Sequence, residues 1–418
     1  MSGNGKVKLI IAGGGDRGTT YARLASADER VAIVGVAEPR DFQRKRLADT
    51  YNVPSENVFK DWEEMAARDK FADAVIIATQ DRMHVEPVVG FAAKGYHMLL
   101  EKPMAPTADD CRKIVETATQ SKAIFAVCHV MRYTDYTRKL KSVLESGLIG
   151  DIVSMQHFEP VGYWHQAHSF VRGNWGNEAK SSSMLLAKSC HDIDWIRHIM
   201  GVACKKVSSF GSLYHLRKEC QPSGAADRCL DCSVESECPY SAKKIYLGRV
   251  AKGELGWPVS VLHPEPTEES ITEALRSGPY GRCVYACDND VVDQQVVNME
   301  FEGGRTAAFT MTAFNRGRGR ETRIFGTRGE LYGDGSKLTH FEFMTDQTNE
   351  IDTRAPDASI KGGHGGGDGR MIQGFIEALV TGDSSKILTG PAETLETHMM
   401  VFAAEQSRRE GNVVEIKV

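Results

Sequence analysis

No stretch of this sequence is apolar over anything near the roughly 20 residues that a bilayer-crossing helix needs. Its apolar runs, such as Val31–Ala37, are strand-length at most. A basic excess is missing too. The chain has 51 lysines and arginines against 56 aspartates and glutamates, a formal net charge of -5, so nothing favours a phosphate backbone and no nucleic-acid partner is expected. Cysteine, at 10 in 418 residues, is too sparse for a disulfide-stapled secreted scaffold, which leaves thiols or metal ligands as the expected states. The polar opening Met1–Lys8 lacks the charged, apolar and small-residue order of an export signal, so the expected location is cytoplasmic, with no membrane partner. What remains is of ordinary globular composition, 41% hydrophobic and 26% charged, and long enough for two domains.

What is present first is alternation. Short β-branched runs at Lys8–Ala12, Val31–Ala37, Ala74–Ala78, His97–Leu100 and Ile124–Val127 predict strands. Amphipathic stretches at Thr19–Ala27, Arg44–Tyr51, Asp61–Arg68, His84–Lys94 and Thr107–Lys122 predict helices between them. That order is the mark of βαβ units and a parallel sheet over residues 1–128. From residue 129 to 418 the pattern turns to period-two strands, among them Ile152–Phe158, Val291–Phe301, Thr306–Ala313 and Arg323–Phe325. Glycine turns at 302–304 and 326–329 join them into a mostly antiparallel open sheet. Candidate helices at Ser183–Met200, Met371–Val380 and Ala392–Arg409 would cover one of its faces. Residues 213–288 break both patterns and hold six of the ten cysteines, and so predict an insertion.

Gly13-Gly14-Gly15-Asp16-Arg17-Gly18 is a G-x-G-x-x-G between a predicted strand and a predicted helix. Gly13, Gly15 and Gly18 would allow the tight turn and close approach of backbone N–H groups to a diphosphate, with Asp16 and Arg17 in the same loop. Glu38, about 20 residues on at the end of the second strand, suits the ribose hydroxyls of NAD. Arg40, two residues later, could instead pair with the extra phosphate of NADP, and NAD is the preferred expectation.

Further along lie Ala78-Thr79-Gln80-Asp81-Arg82-Met83-His84 and Glu101-Lys102-Pro103, then His129–Tyr133, the helix carrying His191 and Asp194, and the hairpin Ile324–Gly329. With the glycine loop, these segments resemble the Gfo/Idh/MocA family of oxidoreductases over nearly the whole chain, the cysteine segment excepted. The resemblance implies an α/β protein, a Rossmann domain followed by an α/β domain with a large open sheet that serves as a homodimer or homotetramer interface. It also implies redox chemistry on a sugar, polyol or glycoside. By likeness, Lys102 lies beside the nicotinamide, His191 transfers the proton, and Thr79, Asp81, His84, Glu101 and Pro103 line the cofactor site. Many members carry an aspartate four residues before the histidine. Here Ala187 stands there with Lys188 beside it, and a cation in that place predicts a base of lower pKa.

Tyr163, His165, Trp175, Arg132 and Tyr133, with His364 and Asp368 of a glycine-rich loop, are candidates for substrate contact together with Lys188 and His191. Flat rings among hydrogen-bonding groups suit a carbohydrate. Cys220, Cys229, Cys232 and Cys238 fall within nineteen residues, and Cys229 and Cys232 have a metal-ligand gap. They could hold a structural zinc, with Cys283 or Cys287 replacing a ligand, or remain thiols or form a disulfide. Three functions stay open on these residues: an NAD-linked dehydrogenase, a glycosidase using NAD by transient oxidation, elimination, hydration and re-reduction, and a non-catalytic dinucleotide sensor.

Overall fold

A computed structural model describes residues 6–317, 319–353 and 364–417. The first sheet holds β1 (Val7–Ala12), β2 (Val31–Ala37), β3 (Val58–Phe59), β4 (Ala74–Ile77), β5 (His97–Leu100) and β6 (Phe125–Val127), all parallel, in the order β3-β2-β1-β4-β5-β6. Both faces are covered. Leu9, Ile11, Ile76 and Leu99 enter one apolar core, while Ile10, Ala12, Val75, Ile77 and Leu100 enter another on the opposite face. This is why the strands read as continuous apolar runs. Only the two-residue β3 escapes the periodicity.

The connecting helices follow the expected positions, and Thr107 caps Ala108–Ser121 by accepting from the Asp110 N–H.

The second sheet has nine strands, β7 (Ile152–Pro160), β8 (Cys204–Ser212), β9 (Gln294–Phe301), β10 (Thr306–Thr312), β11 (Glu321–Gly326), β12 (Gly329–Gly333), β13 (Lys337–Glu342), β14 (Gln347–Asp352) and β15 (Val414–Glu415). Their order is β14-β13-β12-β11-β7-β10-β9-β8-β15, antiparallel throughout except that β10 runs parallel to β7. One face carries Met155, Val297, Phe309 and Ile324 against the helix Cys190–Met200, whose Trp195 is 1% exposed.

Two covering elements differ from expectation. Ser183–Met200 is two helices, Met184–Ala187 and Cys190–Met200, broken at Lys188 and Ser189. The helix Gly367–Thr381 sends Met371, Ile372, Phe375 and Leu379 onto the core of the first sheet instead of the second. Its apolar face suits either sheet, so helical periodicity could not choose between them. Residues 213–288 form short helices around a separate small core with Leu216, Tyr246, Ile271 and Leu275. No described helix is long and apolar enough to cross a membrane.

Candidate functional site

The glycine loop is fixed by contact. Gly13 has φ +98°, and a Cβ there would lie 2.4 Å from the Ala78 carbonyl oxygen; a Cβ on Gly18 would lie 1.9 Å from the Gly13 oxygen. Only hydrogen fits at either place. The helix Asp16–Ser26 then begins after Gly15 with no side chain on its first amides, which leaves them to an anion. Glu38, 2% exposed, accepts from the Gly14 N–H at 2.7 Å and from Arg40 Nε at 2.6 Å. Burial opposes its charge, but those hydrogen bonds and the Arg40 charge outweigh it and hold the carboxyl below its usual range. The loop and the acid therefore fit a dinucleotide.

Arg17 binds Glu101 Oε1 at 2.8 Å and Asp368 Oδ1 at 2.6 Å, and Tyr21 donates to the same Glu101 oxygen at 2.7 Å. Asp368, expected among the substrate groups, is fully buried in this pair. It ties the helix Gly367–Thr381 to the cofactor loop. The side chain of His364 lies outside the described residues.

His84 is a clamp. Its Nδ1 faces the Pro103 and Met104 carbonyls at 3.0 and 3.1 Å and its Nε2 the Thr79 carbonyl at 3.2 Å, which binds the turn after β4 to the turn after β5. Thr79 closes that first turn by donating to the Met83 carbonyl. Asp81 accepts from Trp175 Nε1 at 3.2 Å, so a cofactor candidate and a substrate candidate meet across the cleft. Burial raises the Asp81 pKa against the pull of His84 and Lys102.

From the end of β5, Lys102 reaches across and donates through Nζ to the Ala187 carbonyl at 2.8 Å. The helix carrying His191 starts at Cys190, immediately beyond the break, so the imidazole sits in a first helical turn. It lies edge-on to His129, with ring centroids 5.7 Å apart, and His129 is in turn 5.5 Å from His398. Burial holds His129 at about 4, so it is neutral near pH 7.

The neighbours expected to tune His191 are engaged elsewhere. Lys188 pairs with Glu159 Oε1 at 3.1 Å, which offsets the cation that was to lower the base. Glu159 also binds Arg320 at 2.8 Å, and Arg320 binds Asp192, which accepts from His157 at 3.1 Å. Asp194 takes both arms of Arg132, at 2.8 and 2.7 Å, and the Thr397 hydroxyl at 3.0 Å. Burial opposes the Asp194 charge, but Arg132 and His129 outweigh it and hold the carboxyl at about 2. Arg132 is 4% exposed, and Tyr133 is buried with its hydroxyl near Thr389 and accepting from the Leu388 N–H. Both substrate candidates are therefore internal struts. The inward row Met155, His157, Glu159 on β7 was readable as polar groups at core positions, the one sequence signal that could have exposed this network.

Tyr163 and His165 lie at the foot of the insertion. Tyr163 packs 6.3 Å from Tyr240. His165 feels burial first, then the charges of Lys188 and Lys102, and its pKa falls well below the usual value. Its ring lies 5.9 Å from Phe170, which is 6.3 Å from the Trp175 ring that meets Asp81.

Of the states left open for the cysteines, the thiols stand and a zinc site is not supported. Cys229, Cys232, Cys238 and Cys283 border one cavity with Arg172, whose guanidinium donates to Cys229 Sγ at 3.5 Å and to the Tyr240 carbonyl at 2.9 Å. A fixed cation already faces these sulfurs. Among the described residues no group of three or more His, Cys, Asp or Glu side chains is set to hold a metal ion, and all ten cysteines are free thiols.

Residues 7–129 match a family model described as oxidoreductase family, NAD-binding Rossmann fold, and residues 141–416 match its C-terminal alpha/beta domain. The chain is 26% identical to the Bacillus subtilis protein YteT over 365 residues, 81% of this chain and 79% of that one. It is 28% identical to the 2,7-anhydro-N-acetylneuraminate hydratase of Mediterraneibacter gnavus over 205 residues, 49% of this chain and 52% of the relative. A solved levoglucosan dehydrogenase in complex with NADH and levoglucosan shares the fold at TM-score 0.72 and 16% identity, covering 99% of this chain and 100% of that one. An Agrobacterium radiobacter oxidoreductase solved with NAD+ and L-tartaric acid does so at TM-score 0.71 and 16% identity, over 98% of each chain. With the glycine turn, the buried acid after β2 and both family segments in place, the chain belongs to the Gfo/Idh/MocA family of NAD-binding oxidoreductases.

Proposed function

We propose that the chain oxidises a hydroxyl-bearing carbon of a sugar, polyol or glycoside, with His191 as acid and base and Lys102 assisting at the reacting oxygen. The observation that carries this reading is the 2.8 Å hydrogen bond from Lys102 to the Ala187 carbonyl, which draws the end of the parallel sheet and the start of the His191 helix into one cleft. Backbone amides at Gly13–Gly18, the Glu38 carboxylate and the turns at Thr79–His84 and Glu101–Pro103 would hold NAD, which supplies a hydride-accepting ring when bound.

His191 would remove the hydroxyl proton as the carbon loses hydride, and the Lys102 ammonium would steady the charge that gathers on oxygen. The Arg132–Asp194 pair keeps the helix in place from behind, and Glu159 keeps Lys188 from adding a free charge. A panel of sugars and polyols with NAD tests this by absorbance of the reduced cofactor. Silence across a broad panel, with NAD bound, sinks it.

A second reading, hydrolysis of a glycoside through transient oxidation, is favoured by His165. Burial and the nearby lysines keep this second imidazole neutral near pH 7. It could take the proton that becomes acidic beside a new carbonyl while the glycosidic oxygen leaves, before water adds and the carbonyl is reduced again. Net hydrolysis without accumulated reduced cofactor separates the two.

We place self-association, as a homodimer or homotetramer, on the uncovered face of the nine-stranded sheet, where Phe210 is 62% exposed. Sedimentation of Phe210→Glu against the native chain tests it.

A further inference from the structure

We propose that the insertion builds a second sugar subsite on Trp257, so that the substrate is a glycoside of at least two rings; this rests on the reading above. Trp257 is 42% exposed, although it is held from several sides. His165 lies 5.0 Å away with its plane turned by 80°, His168 5.2 Å away at 90°, and Trp164 5.4 Å away at 57°. His168 is itself locked, with Nδ1 2.8 Å from the Tyr246 hydroxyl and its ring stacked on Tyr280 at 4.9 Å. The indole therefore cannot turn inward without breaking a buried cluster.

The packing indole Trp195 is by contrast 1% exposed. Keeping an indole braced and open costs apolar exposure, which a ligand would relieve. Arg249 lies 4.5 Å from the Trp164 ring and pairs with Glu254 at 3.0 Å, placing a guanidinium and a carboxylate beside the rings. Flat apolar surface edged by charged hydrogen-bonding groups matches a pyranose, whose faces are C–H and whose rim is hydroxyl.

The link to the candidate site is His165. Trp257 packs against it, and the His165 ring is also 5.9 Å from Phe170, which lies 6.3 Å from Trp175, the donor to Asp81 across the cleft. A reacting ring held at Lys102 and His191 would then extend its glycosidic substituent past His165 onto Trp257. The subsite binds the group that leaves or trails, and the reacting carbon stays at the nicotinamide end.

Calorimetry on the NAD-loaded full chain tests this with cellobiose against methyl β-glucoside and maltose against methyl α-glucoside, NAD reduction being followed in parallel. The expected result is that at least one disaccharide binds about tenfold more tightly than its methyl counterpart. Trp257→Ala should remove that gap and Trp257→Phe should keep part of it, with NAD affinity unchanged in both. Melting curves show whether the alanine variant is folded, and if it is not, the phenylalanine variant decides. Equal binding of disaccharide and methyl glycoside, no binding of any of the four sugars, or a gap that survives loss of the indole overturns the subsite. Cofactor reduction without a gap ends the subsite alone, whereas a gap that stands while the broad sugar and polyol panel gives neither reduction nor hydrolysis ends the oxidoreductase reading and leaves the subsite.

Discussion

The Lys102 ammonium and the Ala187 carbonyl, 2.8 Å apart, join two halves of the molecule through a backbone oxygen. By the family resemblance that position commonly carries an aspartate, whereas here residue 187 meets the ammonium through its backbone oxygen alone. Ala187→Asp adds an anion near His191, which favours the imidazolium and raises the pKa of the base. The acid limb of kcat/KM against pH should move up by about one unit. An unmoved limb would place His191 out of reach of residue 187. Lys102→Ala should lower kcat by about a hundredfold or more while NAD affinity stays within a few-fold.

His191→Ala removes the only group assigned to the substrate proton, and kcat should fall by about a hundredfold to ten-thousandfold. NAD titration and the melting curve should be nearly native. Comparable activity in the variant would transfer the role to another residue, with His165 the first to try.

Gly18→Ala forces a methyl to within 1.9 Å of the Gly13 carbonyl oxygen. The loop must shift, at a cost of about 1–3 kcal/mol, and NAD affinity should drop by about tenfold or more. Calorimetry and chemical unfolding read the two effects separately, and an unchanged Kd would mean that the diphosphate does not use this turn.

Asp194→Asn leaves the Arg132 guanidinium buried without its counter-ion. Unfolding stability should fall by about 3–5 kcal/mol. Asp28→Asn, which breaks a partly exposed pair with Arg30 at 2.8 Å, should cost less than about 1 kcal/mol. Equal losses in urea titrations would refute the assignment of Arg132 as an internal strut.

Acid should unfold the protein through its buried histidines. Burial holds His129 at about 4, and His168 and His398 at about 3, all below the unfolded value near 6.5. Between those values the unfolded chain binds protons that the folded chain refuses. The stability from these sites is therefore present above pH 6.5 and is lost as pH falls toward 4 and then 3, by up to about 1.4 kcal/mol per pH unit for each group. Melting temperatures from pH 8 to 4 check the sign, and His129→Gln should flatten the slope.

Sequence alone determined the parallel sheet, because strands buried on both faces must be apolar throughout and Val31–Ala37 or Ala74–Ile77 can be little else. It also determined the glycine turn, since hydrogen is the only side chain that fits at Gly13 and Gly18. Tertiary structure alone decided the partner of each charge. Arg132, Asp368 and Lys188 carry the right chemistry for a sugar, yet they are taken up by Asp194, Arg17 and Glu159, residues 62, 351 and 29 positions away in the chain. It likewise gave the helix Gly367–Thr381 to the first sheet and set Trp257 against His165. Local propensity records which residues a segment can bury or pair, whereas the partner depends on where a distant segment lands, which no short window of sequence contains.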